Sequence, residues 1–143
     1  MKAKRRAVIA VTFALLAAPA FAANPSGTWL TEDGEARVRI ADCGQAYCGT
    51  IVWLKEPNDP QTGKPKLDKF NKHESMRSRR VLGMQIIYGM HPSGANSWKG
   101  SLYNPEDGNT FNGSLALQGA DRLKLEGCVL ALFCRSEVWK RVN

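Results

Sequence analysis

The chain has 143 residues, 20 of them basic and 13 acidic, for a formal net charge of +7. Four of the basic residues fall within the first 22 positions, leaving 16 against 13, a net of +3 for residues 23–143. That length suits one domain with one core, and so modest a charge lacks the basic footprint of a nucleic-acid binder.

Residues 1–22 read as a secretory signal peptide. A basic start (Lys2, Lys4, Arg5, Arg6) precedes an apolar run over residues 7–16, and Ala20-Phe21-Ala22 forms a small-x-small cleavage site. The run falls short of the about 20 residues that a membrane-spanning helix needs, so cleavage after Ala22 is expected in place of a stable membrane span. Residues 23–143 would then be periplasmic or secreted. In that compartment disulfides persist.

Short alternating runs follow, with strands expected at residues 27–30, 36–40, 47–54, 81–88, 98–103, 110–117, 122–128 and 134–142. In the second, Val38 and Ile40 fall on one face and Arg37 and Arg39 on the other. Asp33-Gly34, Cys43-Gly44, Ser93-Gly94, Asp107-Gly108 and Gly119 supply turns. The expected fold class is all-β, an antiparallel up-and-down barrel of about eight strands, since closure removes the exposed edges of a meander. A two-layer sandwich is the alternative.

Cys43, Cys48, Cys128 and Cys134 permit three pairings. Pairing Cys43 with Cys48 and Cys128 with Cys134 is favoured, because each pair flanks a short turn between adjacent strands. Zinc ligation is the competing reading, disfavoured by the spacing and by the oxidising compartment.

Residues 55–80 break the pattern. They carry Pro57, Pro60, Pro65 and Gly63 and eight basic against four acidic side chains. A structureless loop of this length is often functional. Its best polar constellation is Asp68, Asn71, Arg77 and Arg79. Two arginines can hold an anionic group through bidentate bonds, whereas Asp68 could instead satisfy an arginine internally and pin the loop.

Trp29-Leu30-Thr31-Glu32-Asp33-Gly34, the Cys43 to Cys48 hairpin running into Gly49-Thr50-Ile51-Val52-Trp53-Leu54, Arg77-Ser78-Arg79, Tyr103-Asn104-Pro105-Glu106-Asp107-Gly108 and Trp139-Lys140-Arg141 together resemble the bacterial family DUF2147. The resemblance implies a lipocalin-like or calycin-like barrel. It assigns Gly27 and Trp29 to a first-strand motif that packs near Arg141, beside Trp139, at the closed end, as structural residues. The loop departs from the family pattern: Lys72-His73-Glu74-Ser75-Met76 lacks a proline, and Arg80 replaces one.

His73 and His91 stand apart from any serine or cysteine motif, and Glu32-Asp33 and Glu106-Asp107 each adjoin a turn glycine. No catalytic residue, metal or cofactor is assigned. The leading expectation is binding of a small apolar or amphipathic ligand inside the barrel. The alternatives are a non-catalytic envelope protein that meets a protein partner through the basic loop, and a hydrolase-like enzyme with its site at the barrel mouth.

Overall fold

A computed structural model of the chain describes residues 13–17, 22–130 and 132–143. Most of the expected signal peptide lies outside the described residues. Within it, residues 13–17 have no regular structure. Among the described residues no helix is long and apolar enough to cross a membrane.

Eight strands form one closed antiparallel barrel in sequence order: β1 (Gly27–Leu30), β2 (Ala36–Cys43), β3 (Ala46–Leu54), β4 (Gln85–Gly94), β5 (Ser97–Asn104), β6 (Asn109–Leu117), β7 (Arg122–Val129) and β8 (Phe133–Arg141). Trp29 pairs with Arg141 and Leu30 with Lys140, which closes the ring and rules out the sandwich. The alternation in β2 is as expected, with Val38 and Ile40 buried and Arg37 and Arg39 exposed. Both cysteine pairs are disulfides, Cys43 to Cys48 and Cys128 to Cys134, so neither leaves a thiolate for zinc.

Two boundaries differ from expectation. β4 starts at Gln85, not at residue 81, because residues 81–84 turn inward first: Val81 and Met84 are buried, and Ile51 exchanges backbone bonds with Met84 and Gly83. β4 also continues through Pro92 to Gly94, where register shifts on either side accommodate a residue that cannot donate to the ladder.

Residues 55–80 are not structureless. Bridges join Asn58 to Pro65 and Leu67 to Arg80, and a 3-10 turn spans Glu74–Met76. Proline and glycine set its bends, while local backbone bonds such as Asp68 to Arg79 replace strand pairing.

The up-and-down order puts the β1–β2, β3–β4, β5–β6 and β7–β8 connections at one end and both chain ends of the barrel at the other. The second end is packed solid. Trp29, Val38, Ile40, Met90, Trp98, Leu115 and Leu123 are buried there in one cluster with the rest of the core.

Candidate functional site: the barrel cavity and its polar rim

At the loop-bearing end the interior stays open. A cavity of about 570 Å³ is walled by Ile51, Leu54, Ile87, Leu102, Leu125 and Trp139 and rimmed by polar side chains from the β1–β2, β3–β4 and β5–β6 connections and from β8. Closed eight-stranded sheets leave room for one small ligand, and this volume falls in the usual range for such sites. The rim mixes Asp33, Glu35, Asp59, Glu106 and Glu137 with Lys66, Lys69 and Arg135. Lys69 is 3.4 Å from Asp59, and Glu35 is 3.4 Å from Lys55 outside the cavity. Lys66 and Arg135 have no ion-pair partner among the described residues.

The loop reaches the cavity through Asp59, Pro60, Gln61, Lys66, Leu67, Lys69 and Phe70. Beyond that point it is clamped to the barrel wall. Asp68, 0% exposed, accepts from the Tyr103 hydroxyl at 2.5 Å, from Arg79 Nη2 at 2.7 Å and from Asn71 Nδ2 at 2.8 Å. Leu102 shares the inward parity of Trp98, so Tyr103 falls on the outer face, and the loop buries it there.

The electrostatics follow from that clamp. Burial alone would raise the Asp68 pKa, but the hydrogen bonds from Tyr103, Arg79 and Asn71 outweigh it and hold the carboxyl below its usual 3.8. Burial, then the bond to Asp68, pushes Tyr103 from 10.0 up to about 12. Bonding to Asp68 likewise raises Arg79.

The structure therefore brings three of the four loop residues singled out above into one cluster, with the fourth attached to it. Arg77 Nε donates to the Asn71 carbonyl at 2.8 Å. None of the four lines the large cavity. Asn71 and Arg79 instead line a cleft of about 330 Å³ between loop and wall, with Lys72, His73, Tyr88 and Thr110.

Turn duties occupy one member of each acidic pair. Asp33 Oδ1 accepts from the Thr31 hydroxyl and the Glu35 backbone, and Asp107 Oδ1 accepts from the Asn109 backbone. His73 and His91 are exposed. Sequence reasoning did not single out Lys66 and Arg135. Their signal was available, since Lys66 precedes Leu67 and Arg135 lies next to a cysteine, but neither fact shows which side chain will face the cavity.

Opposite the cavity, Arg141 lies 4.2 Å over the Trp29 ring and donates to the carbonyls of Ala120 and Ser26 at 2.7 and 2.6 Å. Trp29 Nε1 donates to the Pro25 carbonyl at 2.9 Å.

The family described as "Uncharacterized protein conserved in bacteria (DUF2147)" matches residues 27–141, the whole of the barrel from the start of β1 to the end of β8. No curated protein matches the chain. Among solved structures, it is similar to protein HP1028 from Helicobacter pylori, described as belonging to the lipocalin family. The TM-score is 0.71 at 20% identity, over 85% of this chain and 84% of that one. The fold is lipocalin-like.

Proposed function

The chain belongs to the DUF2147 family, and we propose that it is an exported carrier that binds a small apolar or amphipathic molecule in its barrel. The observation that carries this reading is the 570 Å³ cavity with apolar walls and a polar rim. An apolar body gains from leaving water for such walls, at about 25 cal/mol per Å² buried, while a polar head stays at the wet rim. Lys66 and Arg135 are the rim cations free to meet a carboxylate or phosphate head. In this proposal Asp68, Asn71, Arg77 and Arg79 act at one remove, holding the loop against the wall so that Lys66 and Phe70 keep their places. Export is supported by the signal-peptide pattern of residues 1–22 and by the two disulfides.

The test is titration with a fluorescent apolar probe and with fatty acids. The parent protein should bind the probe and release it to a fatty acid. A Lys66→Ala, Arg135→Ala variant should lose affinity for the acid by about tenfold while binding neutral apolar probes nearly as before. If the parent binds neither class, the carrier function is wrong.

A further inference from the structure

One hairpin lacks the turn-forming residues that the other short turns carry. Gly34, Gly44, Gly108 and Gly119 take positive φ at their turns, whereas the β7–β8 tip reads Val129-Leu130-Ala131-Leu132-Phe133 with no turn former. Leu130 sits at φ 54°, in the left-handed region where glycine or asparagine costs far less. Leu130, Leu132 and Phe133 are 80%, 83% and 72% exposed, and Val129 is 44% exposed. A glycine or asparagine there would relieve both the strain and the exposure. The chain instead carries leucine and ties the base of the tip with the disulfide from Cys128 to Cys134.

We propose that this hairpin inserts into the surface of a lipid bilayer and sets the mouth of the barrel cavity against the membrane. The tip is narrow: four such side chains expose on the order of 500 Å², as large as the largest patch on a typical monomer. That is short of the roughly 800 Å² per partner that a stable protein interface needs, so a bilayer suits the tip better than a second copy does. Bilayer insertion requires apolar depth and no matching surface. The disulfide holds the tip in shape before it meets the membrane, which limits the ordering cost on binding.

Across the mouth of the barrel, the β3–β4 connection has the same character. Leu67 and Phe70 are 44% and 53% exposed beside the same cavity, flanked by Lys66 and Lys69, and Lys69 Nζ lies 5.3 Å over the Phe70 ring. Apolar side chains could enter the lipid while these ammonium groups remain at headgroup level. Glu32, Asp33, Glu106 and Asp107 occupy adjacent turns, so the face has no single sign of charge. Apolar burial therefore drives the contact, with little dependence on salt. The link from membrane to cavity rests on the carrier function; the hairpin contact itself does not.

Flotation of the exported chain, residues 23–143, which hold the whole barrel, with phosphatidylcholine vesicles, with and without phosphatidylglycerol, tests the proposal. A Leu130→Asn, Leu132→Asp variant keeps both cysteines and the barrel core, and should bind vesicles about tenfold more weakly or worse. In a Leu132→Trp variant, brominated lipid should quench fluorescence beyond the level seen for the parent. Equal flotation of parent and polar variant overturns the proposal, as does an absence of added quenching. Loss of a concentration-dependent dimer in the polar variant, without vesicle binding by the parent, would assign the tip to a second copy instead. Probe binding in vesicle-free buffer is measured alongside. Probe bound without flotation refutes only the membrane contact, and flotation without probe binding refutes only the carrier.

Discussion

Gly27, Trp29 and Arg141 depend on one another at the level of single atoms. Gly27 has φ 139° and no room for a Cβ, because the Arg141 guanidinium fills that space. From there the guanidinium covers the Trp29 ring and ties down carbonyls from two separate segments. Arg141→Ala removes the cation-π contact and leaves those carbonyls without their donor, at a cost of about 1–3 kcal/mol. Thermal melts should show the loss, with probe binding at the opposite end nearly unchanged; altered binding with an unaltered melt would make Arg141 part of the site. A second residue-scale test uses pH. The Asp68 carboxyl is held below its unfolded value of 3.8, so its stabilisation is present above that value and lost as pH falls through the lower folded value. Tyr103 is raised from 10.0 to about 12, so its share is present below 10 and lost as pH rises between the two. Asp68→Asn should flatten the acid limb of stability against pH, measured by denaturant melts, and Tyr103→Phe the alkaline limb. Unchanged limbs would mean that the clamp does not form in solution.

The strands were legible because each buries one face, and alternation is the trace that burial leaves. Val38 and Ile40 show it directly, and the short turns brought each cysteine to its partner. The loop was illegible for the opposite reason. Its order comes from side chains meeting a distant strand, Asp68 with Tyr103 above all, and no local period records such a meeting. The residues of this segment did suggest that Asp68 could pair with an arginine and pin the loop, but nothing local singled out Arg79 as that arginine, Tyr103 as the strand residue that joins them, or Lys66 as facing the cavity. Gly108 offers a test of the loop as an element. It has φ +72°, and a Cβ there would run into the Phe70 carbonyl. Gly108→Ala should therefore strain the β5–β6 turn and lift the loop, destabilising it by about 1 kcal/mol or more. Limited proteolysis should cut the variant faster between residues 55 and 80 while the barrel fragment survives. Cleavage at the parent's rate would show that the loop does not depend on this contact.

At the scale of the whole molecule, the two ends of the barrel divide the work. Trp29, Trp98 and Leu115 fill one end and stabilise the closed sheet, while the other end keeps about 570 Å³ unfilled. An unfilled apolar interior forgoes dispersion contacts that packing would supply, so the cavity lowers stability in the absence of a ligand. Filling it from within should reverse that. Leu54→Trp with Leu102→Trp places two indoles where Leu54 and Leu102 line the cavity, both only partly buried and thus able to take larger side chains. Without ligand, this variant should melt at or above the temperature of the parent. A ligand at about 100 times its Kd should stabilise the parent by about 2.7 kcal/mol. In a barrel of this size that is a rise of roughly 10 °C, easily read by thermal shift. The filled variant should show almost none of it. A variant that melts well below the parent would report overpacking and calls for Leu54→Phe, which fills less, to be read in the same way. A ligand shift that persists at full size in a well-folded filled variant would place binding outside the barrel, with the cleft lined by Lys72, His73 and Arg79 as the next site to probe.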